Sequence, residues 1–574
     1  MFFLIIFLFN FETHASSKEV CPTIIMHDGE DINLTETEKN LICGDPELET
    51  YQNIPSYQAS YLLTGFLQSR SYLQPSFETN GKILNVYVGK KSELKDVIVI
   101  SEVEKESKRT EKELKRLHGG NPLNPDLLNT LESDTINALR QAGYPCPTVE
   151  TLVDPKTSVA TLKLGQMVPH DFGILEREEI PGLRENALER YYPFKSKDTF
   201  NGRLLTLTEK RMLRAQVVQG TYFLESCTDQ GQNYSLAQKF IIGPPRTFRF
   251  GAGASTEAGP MARLRWTHHR YKSMASILSA NLQASLRSQS LTLTADSFFW
   301  KNAPRRSLLS EIEITRESQL DFEELIFKTR SQMKWTADYS KRHWLWTLGP
   351  SFEAGTFHSG ENSSTRSFAT GAIEGGVQWM SHLYEFYDLH PEEGDLFNFN
   401  FGFRHPSLGF SDPLLELESS YVKLYRLTDW GRGSLVSGIR LNAGTTWVSN
   451  DVTLNSLPPS VKFYGGGSDD IRGFFLKTLP KNDGLGALTK IGGKFELRRT
   501  YLFRPTFEGF VFIDGAYFGD QSWSTEPRLW HSPGIGIRWI SPIGLVQTYA
   551  ARAYVTNPYE DLGNFYYIGL GGTF

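Results

Sequence analysis

Long hydrophobic runs are the first thing that this sequence lacks. After the apolar segment Met1–Phe11, no stretch approaches the roughly 18 apolar residues that a membrane-crossing helix needs. A helical membrane protein is therefore excluded. A closed β-barrel is not, because only every second residue of its strands must be apolar.

Excess basic charge is also absent, and cysteine is scarce. The chain carries 60 Lys and Arg against 65 Asp and Glu, which excludes a strongly basic nucleic-acid binder. Its four cysteines form no CxxC motif of the kind that indicates zinc binding or thioredoxin-like chemistry. If the chain is exported, Cys21 and Cys43 are candidates for a disulfide that closes a short loop, and buried free thiols are an equal alternative.

Catalytic signatures are missing as well. The chain has no GxSxG, HExxH, P-loop or paired-carboxylate pattern, and His268-His269 has no further ligands at a suitable spacing. We therefore expect no enzymatic activity, no catalytic residue, no cofactor and no metal site.

The N-terminal region predicts export followed by small α/β modules. Residues 1–15 have the apolar core and small residues of a signal peptide, although the usual basic start is missing. A helical pattern combined with strand-like segments then occurs three times, which predicts modules at residues 18–95, 96–170 and 171–243. Such modules can bind an extended peptide at a sheet edge or act only as spacers.

From residue 244 to residue 574 the hydrophobic period changes to two. Leu396–Arg404 shows it clearly, because every second residue from Phe397 to Phe403 is Phe. At roughly 20 residues for each strand and its half-loops, this region predicts a transmembrane antiparallel β-barrel of about 16 strands. Two polar stretches, His358–Arg366 and Asp388–Asp395, are predicted as extracellular loops.

The first and last strands of this region are predicted to pair and close the barrel. The last strand alternates into Phe574, and the first includes Phe250. Glycine offers no side chain to pack, so Gly569, Gly571 and Gly572 weaken the last strand. A weak closing seam is a physical basis for lateral opening.

One loop is unusual for its glycines and its arginine. The segment Phe463–Phe475 reads FYGGGSDDIRGFF, and its glycines permit a tight reversal of the backbone. The residues of this loop motif that we single out are Gly466, Gly467, Ile471, Arg472, Gly473 and Phe474.

The signal segment, the α/β modules, the barrel pattern and the IRGF loop together resemble the BamA/TamA superfamily of outer-membrane assembly factors. Three modules make the chain most similar to the TamA-type members, and the modules resemble POTRA domains. The resemblance implies that the loop arginine folds into the barrel lumen and contacts acidic residues of the inner wall. By the motifs GGKFE and FIDG, these positions correspond to Arg472, Glu496 and Asp514.

The resemblance also implies a function in the bacterial outer membrane, with the modules in the periplasm. Clients that form β-barrels or autotransporters would be inserted or translocated through the seam. The implied partners are a TamB-like periplasm-spanning protein, unfolded outer-membrane proteins and the lipid bilayer, with no nucleic acid. A two-partner-secretion transporter that exports its partner through the lumen is the alternative, and the modules and the IRGF loop disfavour a passive porin.

Overall fold

The computed structural model describes residues 22–28, 32, 34–43, 54–228, 232–359, 364–387, 390–405, 413–430, 433–449, 452–542 and 544–570. The predicted signal peptide, residues 1–15, lies outside them. The chain divides into two compact units. The first comprises residues 1–171, 199–202 and 227–234, and the second comprises residues 172–198, 203–226 and 235–574. None of the described helices is long and apolar enough to cross a membrane.

The N-terminal region contains three three-stranded sheets, and the strand that comes last in the chain lies in the middle of each. The first has β1 (Thr23–His27), α1 (Glu36–Cys43), α2 (Ser56–Ser69), β2 (Ser76–Asn80) and β3 (Ile83–Tyr87). The second has β4 (Asp96–Ile100), α3 (Glu104–His118), α4 (Pro125–Gln141), β5 (Thr148–Asp154) and β6 (Val159–Gly165). The third has β7 (Leu175–Arg177), a 3-10 helix (Glu185–Tyr191), α5 (Gly202–Arg214), β8 (Gly220–Thr228) and β9 (Asn233–Ile241).

Local sequence signals explain why these elements form. The side chain of Asn124 accepts a hydrogen bond of 2.8 Å from the backbone N–H of Leu127, and Pro125 occupies the first turn of α4. Leu127 and Leu131 lie one turn apart and pack against buried residues of β4 and β6, including Leu162. Capping and helical spacing therefore specify α4 and the face that it buries.

A disulfide links two parts of the first unit. Cys146, which follows α4, is bonded to Cys227 near the end of β8, 81 residues later. A covalent link over such a length stabilises a fold by roughly 4 kcal/mol in the chain-entropy model. Cys21 lies outside the described residues, so its pairing with Cys43 stays a prediction.

The C-terminal region is a closed barrel of 16 strands in which sequence neighbours pair antiparallel, which confirms the predicted fold class. Its strands are β10 (Arg246–Ser255), β11 (Gly259–Tyr271), β12 (Ser276–Ser285), β13 (Ser288–Ser297), β14 (Arg306–Ser318), β15 (Phe322–Tyr339), β16 (Arg342–Ser359), β17 (Arg366–Ser381), β18 (Gly394–Arg404), β19 (Leu414–Trp430), β20 (Gly433–Val448), β21 (Thr489–Arg499), β22 (Phe507–Gly519), β23 (Leu529–Ser541), β24 (Gly544–Val555) and β25 (Glu560–Leu570).

Side chains alternate between the lumen and the outer surface along each strand. In β22 the buried residues Phe510, Phe512 and Asp514 face inward, whereas Val511 and Ile513 between them are exposed on the outer surface. The pairing of β22 with β21 is continuous, so no bulge is needed to bring Asp514 into the lumen.

The connections between strands alternate between the two ends of the barrel. Eight strands precede the connection between β17 and β18, so this connection lies at the end where β10 begins. The prediction of Asp388–Asp395 as an extracellular loop, on the same side as His358–Arg366, is therefore wrong. That connection carries the short helix α6 (His382–Phe386).

The helix α5 docks onto this end of the barrel within the second unit. Arg211 donates two hydrogen bonds of 2.7 Å to Glu385 of α6. It also donates bonds of 3.1 and 2.7 Å to Asp338, at the end of β15. All three side chains are buried, so the third module and the barrel share a buried ion cluster.

Candidate functional site

The connection between β20 and β21, residues 449–488, folds into the barrel lumen, and we call it the lumen loop. Ile471 and Phe474 are buried there, in a cluster with Phe518 of β22 and Trp530 of β23. The loop motif identified in the sequence therefore packs against the inner wall of the barrel.

Two glycines of the lumen loop occupy positions that other residues would not tolerate. Gly466 and Gly473 have φ values of 103° and 106°. A Cβ on Gly466 would lie 2.0 Å from the carbonyl oxygen of Phe475, and one on Gly473 would lie 2.8 Å from Cβ of Ser532. The loop can approach the wall this closely because these positions have no side chain.

Arg472 is the most heavily bonded residue of the lumen loop. Its Nε and Nη2 donate bonds of 2.7 and 2.9 Å to the two carboxylate oxygens of Asp514, and its backbone N–H donates a third of 3.1 Å. Its Nη1 donates a bond of 2.6 Å to Glu496. Arg472 is 4% exposed and Asp514 is 1% exposed, so the pair is bidentate and withdrawn from water.

The structure thus brings Arg472, Glu496 and Asp514 together, and it adds residues that the sequence did not indicate as site residues. Arg538 of β23 donates bonds of 2.6 and 2.9 Å to Glu496. The guanidinium of Arg472 lies 3.5 Å from the ring centre of Phe512, a cation–π contact. The alternation of β23 is the signal that could have found Arg538, because it lies between the apolar residues Ile537 and Trp539.

The lumen loop also contacts the first hairpin of the barrel. Glu257, in the turn between β10 and β11, accepts bonds of 3.2 Å from the backbone N–H of Ser468 and 3.0 Å from its hydroxyl. Burial raises the pKa of the Glu257 carboxyl, although the bonds from Ser468 oppose that rise. The loop is therefore anchored near β10 by Glu257 and on β21 and β22 by Arg472.

The contact between β10 and β25 closes the barrel, and we call it the seam. Among the described residues it consists of two residue pairs, Ala254 with Leu570 and Ser255 with Gly569. A backbone bond of 3.0 Å from Thr256 to Ile568 adds to them.

The strand β25 extends beyond the end of β10. The chain turns into β11 after Ser255, whereas Glu560–Tyr567 continue past that turn. Within the part of the chain that the structure describes, these residues pair with β24 only. One edge of β25 is therefore open beside the first hairpin.

The predicted seam residues have different positions. Gly569 pairs across the seam with Ser255, and Phe250 points outward with 73% of its surface exposed. Gly571, Gly572 and Phe574 lie outside the described residues. Within the described stretches, no group of three or more His, Cys, Asp or Glu side chains is placed to hold a metal ion.

Residues 384–574 match the family model of the Omp85 superfamily domain. The matched part contains β18–β25, the lumen loop and one side of the seam. The match covers about a third of the chain, all of it in the barrel region.

Similar solved structures cover most of the chain. BamA from Haemophilus ducreyi lacking POTRA domains 1–3 superposes with a TM-score of 0.50 at 13% identity, over 84% of this chain and 100% of that one. CdiB from Escherichia coli has a TM-score of 0.49 at 12% identity, over 90% and 97% of the two chains. CdiB from Acinetobacter baumannii has a TM-score of 0.47 at 15% identity, over 84% and 90%. The likeness to the BamA structure is one of fold, and the small N-terminal modules resemble POTRA domains.

Proposed function

We propose that this chain is an outer-membrane barrel that inserts or translocates β-barrel or autotransporter clients through the seam between β10 and β25. The observation that carries the proposal is the open edge of β25 beside the seam. The match of residues 384–574 to the Omp85 superfamily domain supports this function. The three modules favour a TamA-type member and a TamB-like periplasm-spanning partner.

The physical basis of insertion is the unpaired edge. Backbone N–H and C=O groups that face hydrocarbon cannot bond to water, so an opened seam strongly favours a new strand. A typical hydrogen bond contributes only about 1 kcal/mol net. Pairing of a client strand with the open edge of β25 therefore offsets the cost of opening the seam, without a nucleotide.

The N-terminal modules also offer strand edges at which a client can pair, and we propose that they lie in the periplasm. The strands β2 and β5 lie at the edges of their sheets, so each has one side on which an extended peptide can pair. We propose that unfolded outer-membrane proteins are received there by strand addition before they reach the seam.

Locking the seam tests this function. Ala254 and Leu570 are directly opposed across it, at a spacing that a disulfide can bridge. In the variant Ala254→Cys with Leu570→Cys, we expect oxidation to abolish the insertion of a urea-unfolded eight-stranded barrel into liposomes. The readout is the fraction of client that becomes protease-resistant.

The matched control is Ala262→Cys with Ala284→Cys, an equivalent opposed pair on β11 and β12. The oxidised control should insert clients as the unmodified chain does, so that a loss confined to the seam pair is specific. Unchanged insertion by the oxidised seam variant would contradict lateral opening. Export through the lumen, the alternative, predicts that secretion of a partner continues with the seam locked.

A further inference from the structure

A cavity of about 340 Å³ lies in the lumen beside the loop tip. Its walls come from Asp469 and Arg472 of the lumen loop, from strands β19–β21 and from β23–β25. Tyr567 and Gly569 on the lumen face of β25 place the cavity next to the seam.

The charge around this cavity is not balanced. Five cationic side chains line it, against the carboxylates of Asp469 and Glu496. Glu496 is already bound by Arg472 and Arg538, as described above. The three cations Arg440, Lys494 and Arg498 therefore have no carboxylate bound to them among the described residues.

The geometry concentrates these charges instead of separating them. Arg440 and Lys494 are directly opposed on β20 and β21, an arrangement in which like charges destabilise a sheet. On its other side Lys494 is opposed to Asp514 of β22, whose two carboxylate oxygens Arg472 already binds. Arg498 follows on the same face of β21 and is 8% exposed. Its Nη2 donates to the carbonyl oxygen of Pro391, and its Nε has no hydrogen-bond partner in the described structure. A buried donor without a partner is costly unless a ligand satisfies it.

An apolar patch adjoins the cations on the same wall. Val422 is paired with Arg440, and Val436 is paired with Arg498. Leu424 completes the patch and also lines the cavity. A small inorganic anion would leave this patch uncovered, whereas an extended polypeptide presents residues i and i+2 side by side on one face.

We infer that this cavity binds an acidic segment of an extended polypeptide, with a carboxylate on Arg440, Lys494 and Arg498 and a neighbouring apolar side chain on Val422, Leu424 and Val436. The inference deepens the proposed function, because it specifies the chemistry of a client segment beside the seam. It requires no change in the contacts of Arg472.

The test measures how a fluorescein-labelled peptide of nine residues binds to the full chain in detergent micelles. In this peptide Glu and Leu take turns at every second position, so that both lie on the same face of the extended peptide. A second peptide has Gln in place of each Glu. We expect fluorescence anisotropy to show binding of the acidic peptide and at least tenfold weaker binding of the Gln peptide, because charge-assisted hydrogen bonds are lost.

The protein variants are Lys494→Gln, Arg440→Gln and their combination. Each single change is expected to weaken binding of the acidic peptide about tenfold, as expected when one charged bond is removed. Arg265→Gln is the control, because Arg265 belongs to the barrel but does not line the cavity. Retention of the heat-dependent gel mobility of a folded barrel shows that each variant is folded.

Equal binding of the Glu and Gln peptides, or unchanged binding by the folded double variant, overturns the inference. A similar loss in Arg265→Gln overturns it too, because the lumen would then attract acids without a specific site. Complete displacement of the peptide by millimolar inorganic phosphate would identify a phosphate site instead. Peptide binding is measured without client insertion. A negative binding result would therefore overturn this inference and leave the outcome of the seam-locking experiment unaffected.

Discussion

Arg472 concentrates several strong interactions on one side chain. Its fork of donors matches the two oxygens of Asp514 and still reaches Glu496, a geometry that a lysine cannot reproduce. Because Asp514 is almost fully buried, the loss of Arg472 would leave a carboxylate without its cation in a site that water scarcely reaches. Removal of one partner of a buried pair is destabilising by about 3 kcal/mol or more.

At this scale we predict that Arg472→Lys destabilises the barrel nearly as much as Arg472→Ala does. The positive charge is kept in the first variant, but the bidentate geometry is lost. The measurement is the temperature at which the folded barrel loses its heat-resistant gel mobility. Arg316→Ala is the control, because Arg316 and Glu323 form an exposed pair whose loss costs about 1 kcal/mol or less. If Arg472→Lys is as stable as the unmodified chain, charge alone holds the loop.

The residues around Arg472 show what a sequence can specify about a site. The family resemblance indicated Arg472, Glu496 and Asp514, because each lies in a short motif that carries that resemblance. Glu257 had no such signal, since it is an ordinary acidic residue in a turn, 211 residues before Ser468. Its role depends on the register that brings the first hairpin to the loop tip, and local pattern does not encode that register.

At the scale of elements, the docking of α5 onto the barrel depends on buried ions. Arg211 holds Glu385 and Asp338 at once. Asp338 has other donors, because Arg305, His343 and His382 also contact it. The charge of Glu385 depends more on Arg211 for its compensation. The contact between α5 and α6 is therefore the part of the junction that is most sensitive to the loss of Arg211.

We predict that Arg211→Met loosens the third module from the barrel without unfolding the barrel. Breaking a buried pair costs about 3 kcal/mol, which corresponds to roughly a hundredfold faster local opening. Hydrogen exchange of the amides of α5 measures that opening. Lys197→Met, an exposed cation of the same module, should leave exchange unchanged. Unaltered exchange in Arg211→Met would show that apolar contacts hold the junction.

The elements themselves were predictable to different degrees. The helices Ser56–Ser69 and Pro125–Gln141 follow from apolar spacing, and the strands follow from their alternation. The same spacing predicts a helix over Leu207–Gln219, whereas the helix is Gly202–Arg214. The end of the barrel on which Asp388–Asp395 lies depends on the number of strands before it, not on the polarity of the segment. The number of preceding strands, and not the composition of the segment, therefore determines at which end of the barrel this connection lies.

At the scale of the whole molecule, length and period were sufficient for a barrel of about 16 strands, because each strand consumes a nearly constant length of chain. The sequence also predicted that the first and last strands pair, but the register of that pairing required the structure. The backbone N–H of Thr256 donates to the carbonyl oxygen of Ile568, 312 residues away, and no pattern in either segment specifies that register. The cationic cavity was missed for a similar reason, since Arg440, Lys494 and Arg498 converge only after β20 and β21 pair.

The contact between Glu257 and Ser468 has a consequence for how the barrel forms. Joining chain ends across 312 residues carries an entropic cost, and contacts this distant slow folding. Once Arg472 has bound Asp514, the contact of Ser468 with Glu257 spans only 211 residues and brings the first hairpin near the end of the chain. This intermediate contact shortens the remaining loop and lowers the final closure cost by roughly 1 kcal/mol.

We therefore predict that Glu257→Ala slows the last phase of refolding several-fold, with a smaller effect on unfolding. Stopped-flow tryptophan fluorescence in detergent measures both rates. Glu526→Ala, an exposed carboxylate in another connection at the same end, should refold at the unmodified rate. Equal slowing of both variants would show that charge at this end governs closure. Slowing confined to Glu257→Ala would show that the lumen loop acts as a guide in folding, which shortens the search of the first strand for the last.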